Sequence, residues 1–234
     1  MAVSLVILAA GQGTRMNSDL PKVLHRIAAA SMLHHAMQAG RTLDPERVVV
    51  VTGHGAEAVA TSARAFDEDA RIVLQAEQLG TGHAVLQALP ELEGFHGDVV
   101  VLYGDTPFIR PETLAAMLEA RTRHAVVVLG FHAADPGRYG RLVAQGETLE
   151  RIVEFKDATP EERAITLCNS GVLAADVRLL RNLLPKIGNT NASGEYYLTD
   201  LPGLARASGL SAGVVVCDEA ETMGINTRSE LARA

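Results

Sequence analysis

Two cysteines, Cys168 and Cys217, are all that the 234 residues contain, and they lie far apart. Without a Cys-x-x-Cys pair, neither a disulfide framework nor a thiol redox motif is indicated. A reduced, cytoplasmic setting is expected, with both thiols as inert core residues. The eight histidines are scattered, with no His-Glu-x-x-His run and no Cys/His ligand spacing, which argues against structural zinc. Positive charge is not in excess either. A formal net charge of −7 disfavours nonspecific binding to nucleic acid or to an anionic membrane, so any polyanion site must gather its cations locally. No apolar run approaches bilayer length, and the first, residues 1–10, lacks a basic leader and stops at Gly11. Repeats and low-complexity linkers are missing, and no Ser, Cys or His nucleophile stands out.

What is present is ordinary globular material. With 47% hydrophobic and 21% charged residues, the chain has room for one large α/β unit with a sizeable core. Val3–Leu8, Arg47–Thr52, Ile72–Leu74 and Asp98–Tyr103 are aliphatic runs of the kind buried on both faces of a parallel sheet. Between them, Met32, His35, Ala36 and Ala39 share a helical face, as do Ala84, Val85, Ala88 and Leu89, and then Thr113, Leu114, Met117 and Leu118 behind Pro111. Strands alternating with helices predict a doubly wound, mostly parallel, Rossmann-like sheet.

After Ala125 the rhythm changes. Strand-like runs at Ala125–Phe131, Arg141–Ala144, Leu149–Glu154 and Thr166–Leu173 predict a mixed or antiparallel extension. Helices near Ala175–Leu184 and Tyr197–Ser208 and a strand at Ser211–Cys217 follow. A soft boundary is expected near Tyr103–Thr113, dividing residues 1–226 into a 1–110 half and a 111–226 half. Thr227–Ala234 reads as the first turns of a helix without a stop signal, as expected of a longer protein that was cut here.

The sharpest segment is Leu8-Ala9-Ala10-Gly11-Gln12-Gly13-Thr14-Arg15-Met16, followed by Leu20-Pro21-Lys22. A glycine turn leaving a buried strand lets backbone N–H groups approach an anion. Arg15 adds a bidentate phosphate donor and Lys22 a point charge behind Pro21. A dinucleotide fingerprint fails at Met16 and lacks an acidic residue after Val51-Thr52-Gly53. A P-loop lacks its Gly-Lys-Ser/Thr ending. The bland alternative is a tight surface turn with solvated basic residues.

Three other stretches carry chemistry. Gln75 and the turn Gly80-Thr81 open a helix; Gln75 could read a pyrimidine edge, while Thr81 could equally be an N-cap. Asp98–Tyr103 delivers Gly104 and Asp105 to the carboxyl edge of the sheet, where a lone carboxylate suits Mg²⁺ and equally suits a turn before Thr106-Pro107. Gly140 permits close backbone approach, and Glu154 and Asn169 could bond sugar hydroxyls, although Glu154 alone reads as a solvated strand end.

The loop Leu8–Met16 with Leu20-Pro21-Lys22 resembles that of the sugar-1-phosphate nucleotidyltransferases. Further stretches narrow the resemblance: Gln75–Ala84, Leu102–Asp105, Gly137–Arg141, Ile152–Asp157, Asn169–Gly171 and Glu195–Asp200. In this order, from Leu8 to about Arg228, they resemble the uridylyltransferase domains of the bifunctional N-acetylglucosamine-1-phosphate uridylyltransferase/glucosamine-1-phosphate acetyltransferases. The resemblance implies a nucleotide-diphospho-sugar transferase fold. It implies UTP and N-acetylglucosamine 1-phosphate as substrates, and UDP-N-acetylglucosamine, a precursor of peptidoglycan and lipopolysaccharide, as product. It further implies Arg15 and Lys22 as the catalytic cations, and Mg²⁺ on Asp105 and Asn226.

The same resemblance places the substrates on Leu8, Ala9, Ala10, Gly11, Lys22, Gln75, Gly80, Thr81, Tyr103, Gly104, Asp105, Gly140, Glu154, Asn169 and Asn226; Gln75–Thr81 is its uracil-selecting segment, and Gly140, Glu154 and Asn169 fall on the sugar side, as do Tyr103, Tyr197 and Thr199. Two departures stand out. Ala29-Ala30 replaces a Gly-Lys pair after His25, which puts a local turn and a surface charge in doubt. The β-helical acetyltransferase half through which the family forms trimers is missing, so a monomer is expected. Three competing readings stay open: another uridylyl- or thymidylyltransferase, a non-catalytic nucleotide-sugar-binding module, and a dinucleotide-dependent oxidoreductase, the last disfavoured by Met16.

Overall fold

The computed structural model describes residues 2–234. Its strands are β1 (Val3–Ala9), β2 (Arg26–Ile27), β3 (Ala30–Ser31), β4 (Arg47–Thr52), β5 (Arg71–Leu74), β6 (Asp98–Tyr103), β7 (Val126–His132), β8 (Arg141–Gln145), β9 (Thr148–Val153), β10 (Leu167–Asp176) and β11 (Ala212–Cys217). Its helices are α1 (Met32–Arg41), α2 (Ala56–Phe66), α3 (Thr81–Ala88), α4 (Pro111–Arg121), α5 (Pro160–Arg163), α6 (Val177–Leu183), α7 (Leu201–Ala207) and α8 (Arg228–Arg233). Among the described residues no helix is long and apolar enough to cross a membrane.

Nine strands form one sheet in the order β5-β4-β1-β6-β10-β7-β11-β9-β8. β5, β4, β1 and β6 run parallel. All seven residues of β1 are buried because helices cover both faces. Val6 and Leu8 pack with Ala84, Val85 and Ala88 of α3, while Leu5 and Ile7 pack with Leu33 and Met37 of α1 and with Leu114 and Met117 of α4. α1 crosses from β1 to β4, and β6 lies on the other flank of β1. The strand order therefore reverses there, and the carboxyl ends of β1 and β6 leave a crevice suited to a ligand.

β10 enters between β6 and β7, antiparallel to both. β7 and β11 are parallel, and β9 and β8 close the edge antiparallel. The expected extension is thus a continuation of the same sheet, and the Tyr103–Thr113 boundary interrupts neither the sheet nor its packing. A buried ion pair, Arg121 Nη2 to Asp98 Oδ1 at 2.7 Å, ties the end of α4 to the start of β6.

Several expected elements move. α2 was not legible, since only Val59 and Ala63 are buried and the helix begins after Gly55 in a left-handed conformation, leaving a narrow apolar stripe. The helix expected from Ala175 starts at Val177. Ala174 and Ala175 instead complete β10, paired on both sides, and Asp176 caps the helix through its side chain. The helix expected over Tyr197–Ser208 is confined to Leu201–Ala207 behind a short 3-10 turn. After His25 the doubted turn does form. β2 and β3 pair across it, with Ala28 at φ 50°, a left-handed conformation costing roughly 1–2 kcal/mol for a side chain with a Cβ. The helix expected after Thr227 is α8, opened by a Thr227/Glu230 capping box.

Candidate active site

β1 hands the chain to the glycine turn. Gly13 and Asn17, at φ 61° and 47°, bracket the 3-10 turn Thr14–Met16, and Met16 plugs into the core. Gly13 is required here for two reasons. Its backbone is left-handed, and a Cβ would stand 2.5 Å from Cβ of Lys22. The turn is clasped from the far end of the chain, where Arg228 donates to the carbonyls of Met16 (3.1 Å) and Asn17 (3.2 Å). In the same first turn of α8 the Glu230 carboxylate accepts from the N–H groups of Asn226 (2.7 Å) and Thr227 (2.8 Å). Burial pushes the Glu230 carboxyl up, but those N–H groups, the Thr227 hydroxyl and the nearby Arg15 charge together hold it below its ordinary value.

Lys22 is the hub. Its side chain is only 13% exposed. Nζ donates to the Asp105 carboxylate and to Oδ1 of Asn226 at 3.0 Å. Residues more than eighty and two hundred positions apart therefore converge on one cation. A carboxylate and a carboxamide oxygen turned to one point are hard donors that fit a divalent ion, whose remaining positions phosphate and water would fill. No cluster of three His, Cys, Asp or Glu side chains occurs among the described residues.

Above this hub lies a cleft of about 310 Å³ lined by Leu8, Ala9, Ala10, Gly11, Lys22, Gln75, Gly80, Thr81, Tyr103 and Asp105, all expected from sequence, and by Val23, Gln78, Ala84 and Glu195, which were not. Gln75 is buried, and its Nε2 is committed to the carbonyl of Gly80 (3.1 Å) and to Nδ1 of His83 (3.1 Å). Gly80, at φ 115°, presses against the Tyr196 backbone, where a Cβ would fall 2.6 Å from the carbonyl oxygen. Thr81 is not an N-cap. Its hydroxyl accepts from the Leu198 N–H at 3.0 Å, joining α3 to the 3-10 turn Leu198–Asp200.

A second cleft, about 430 Å³, shares Thr81, Tyr103 and Glu195 with the first. Its other walls are Glu154, Asn169, Tyr197 and Thr199, as expected, together with Arg138, Phe155, Lys156 and Ser193. Glu154 is not a solvated strand end. Its Oε1 accepts from the Thr199 hydroxyl at 3.0 Å. Burial pushes its carboxyl above the ordinary value, aided by Asp157, Asp200 and Glu195 and opposed by that hydroxyl. Burial likewise raises the Tyr103 phenol far above its usual range, so it stays protonated. Asn169 sits where the β10–β7 pairing shifts register, and that bulge turns the strand at the cleft.

Four expected site residues do not line either cleft. Gly104 sits beneath, its N–H bonded to Leu8 O at 3.0 Å. Gly140 lies behind Glu154, where a Cβ would be 3.5 Å from Oε2. Asn226 reaches the site through Lys22, and Arg15 is exposed. Arg138 and Lys156 fall inside two of the motifs noted above, yet as single basic residues they carried no signal of their own. The two thiols are as expected: Cys168 is buried and Cys217 half-buried, both free and both raised by burial, Cys217 to about 12.

A doubly wound sheet whose switch point holds a glycine turn, a lysine and paired hard oxygens, opening into a second polar cleft, defines a nucleotidyltransferase. The chain belongs to the MobA-like NTP transferase domain family, whose model matches residues 5–174. It is 72% identical over 232 residues to the bifunctional protein GlmU of Cereibacter sphaeroides strain ATCC 17025, covering 99% of this chain and 51% of that protein. The GlmU of Paracoccus denitrificans is 66% identical over 232 residues, covering 99% and 52%. The chain thus spans about half the length of the curated relatives it matches. Among solved structures, a UDP-glucose pyrophosphorylase complexed with UDP-glucose superposes with a TM-score of 0.77 at 17% identity, covering 100% of this chain and 97% of that one. The inositol-1-phosphate CTP transferase from T. maritima gives 0.76 at 16%, covering 97% and 90%. At these identities the likeness is one of fold.

Proposed function

We propose that this chain is a uridylyltransferase that joins UTP and N-acetyl-α-D-glucosamine 1-phosphate into UDP-N-acetylglucosamine, releasing diphosphate, with Mg²⁺ as its ion. The observation that carries the reading is the pair of clefts sharing Thr81, Tyr103 and Glu195, with Lys22, Asp105 and Asn226 at the foot of the first. One cleft takes the nucleotide and the other the sugar, so their phosphates meet at the shared wall. The identity to GlmU proteins supports the same substrates.

Gln75 favours uracil. With Nε2 committed to Gly80 and His83, its Oε1 is left to accept from the N3–H of uracil, a position where cytosine carries a lone pair instead. Gly11, Gly80 and the backbone of Leu8–Ala10 allow base and ribose to lie close. On the sugar side Glu154, Asn169 and the backbone at Gly140 bind hydroxyls and the N-acetyl group. Gly104, bonded to Leu8 O, keeps the floor of the first cleft close to β1.

A phosphate oxygen of the sugar 1-phosphate attacks the α-phosphorus of UTP; a new P–O bond forms, and the bond to the β-phosphate breaks with its electron pair leaving on diphosphate. The nucleophile belongs to the substrate, so the protein aligns the two and neutralises charge. Lys22 neutralises the phosphates at the reacting centre, and exposed Arg15 holds the departing diphosphate. Asp105 and Asn226 would hold Mg²⁺, which when bound supplies Lewis-acid charge to the phosphate oxygens. The test mixes UTP, Mg²⁺ and N-acetylglucosamine 1-phosphate with the protein and follows diphosphate. Release that depends on all three supports the reading. No release, or faster release with glucose 1-phosphate or with dTTP, refutes it.

A further inference from the structure

Arg141 is among the largest fully buried side chains in the molecule, at 2% exposure, yet no carboxylate lies within ion-pairing distance of it among the described residues. A buried guanidinium without a counter-charge is costly, and an apolar side chain of similar volume would serve the core better. All of its hydrogen bonds go to backbone carbonyls. Nη2 donates to Gly137 O at 3.0 Å, Nε to Arg163 O at 3.3 Å, and Nη1 to Tyr139 O. Its planar head also lies 5.8 Å from the centre of the Phe155 ring, and Arg163 covers that ring at 4.5 Å.

The backbone of Arg141 stands at a junction. It pairs with Val153 in β9 and with Cys168 in β10, the residues just before Glu154 and Asn169. The carbonyl of Gly140 accepts from the Asn169 N–H at 2.9 Å. One side chain therefore ties the loop 137–140 to the wall that carries Glu154, Phe155 and Asn169. Arg138, on the same loop, is thereby kept on the lining of the second cleft.

We propose that Arg141 is a positioning residue for the sugar 1-phosphate. It shapes the second cleft by holding the Gly137 and Tyr139 carbonyls and the Phe155 ring, and it touches no substrate. This rests on the reading of the second cleft as the sugar side. It predicts a split between the two substrates, because nothing Arg141 touches lines the nucleotide cleft.

The test compares Arg141→Met and Arg141→Lys with the wild-type protein. Methionine keeps length and apolar packing but loses every donor. Lysine keeps the charge and one or two carbonyl bonds but lacks the planar fork that reaches all three carbonyls. The expected result is a rise of about tenfold in KM for N-acetylglucosamine 1-phosphate in the methionine variant and a smaller rise in the lysine variant, with KM for UTP within about twofold. Amide exchange at Asn169 and across 138–140 should quicken, while exchange across Gly11–Lys22 stays as in wild type. Equal rises for both substrates, or an unchanged sugar-phosphate KM with unchanged exchange at Asn169, overturns the assignment. Should the methionine variant not fold, the lysine variant decides by the same measures. Wild-type protein that fails to turn over refutes the proposed function instead, and the exchange data still judge Arg141.

Discussion

Replacing Lys22 by methionine removes one ammonium group from between two oxygens and leaves an apolar stem of similar length. The ion pair with Asp105 is mostly out of water, at 13% and 18% side-chain exposure, so charge-assisted bonds of this kind contribute about 1.5–3 kcal/mol each. Part of that is returned, because a carboxylate with some exposure can recruit water once its partner is gone. A net loss of about 2 kcal/mol corresponds to a melting temperature lower by about 4–8 °C in a domain of this size. The catalytic loss is larger. Deleting one preorganised charge at a phosphoryl centre costs about 3–4 kcal/mol of transition-state stabilisation, or about 10²–10³ in kcat.

The variant should therefore be folded at 25 °C and nearly inactive. Differential scanning fluorimetry and continuous diphosphate release, run on the same preparation, measure both quantities. A third readout is independent of turnover. With the ammonium gone, the oxygens of Asp105 and Asn226 are free for a divalent ion, so Mg²⁺ should raise the melting temperature of the variant more than that of the wild type. A kcat within about threefold of wild type, or a Mg²⁺ response no larger than wild type, would refute the reasoning.

Two further outcomes follow from the same geometry. The Glu154 carboxyl sits above its ordinary value, so its protonated form is favoured in the fold; that stability is fully present below the unfolded value and is lost as pH rises through the folded one. Glu154→Gln keeps an acceptor for Thr199 without the charge, so melting as pH rises above the ordinary carboxylate value should be flatter than in wild type and the variant no less stable at neutral pH, with a higher KM for the sugar phosphate; parallel melting curves would contradict the cause assigned here. Gly13→Ala forces a Cβ into a left-handed turn and to within 2.5 Å of Lys22, so it should lose about 1–2 kcal/mol of stability by denaturant titration and at least about tenfold in kcat; an active variant would mean that the turn does not set the position of Lys22.

Much of the parallel half was legible because each of its elements is specified locally. β1, β4 and β6 are aliphatic runs, α1 and α3 carry a helical apolar periodicity, α4 opens on Pro111, and the turn Gly11–Met16 is written in consecutive residues. α2 escaped because its apolar stripe is two residues wide, and the last turn of β10 because alanines that look helical are paired on both sides.

The sequence by itself determined the parallel strands, the glycine turn with its nearby cations, and the strand-end carboxylate whose order along the chain carries the family resemblance. Only the tertiary structure decided that Lys22, Asp105 and Asn226 share one point, that Thr81 and Tyr103 form a wall common to two clefts, and that buried Arg141 ties the 137–140 loop to the strands behind the second cleft. The reason is physical. Turns and strands are governed by neighbours in the chain, whereas convergence of charges and the sharing of walls depend on how β10 and α8 return to β6 and β1, and no local pattern encodes that return.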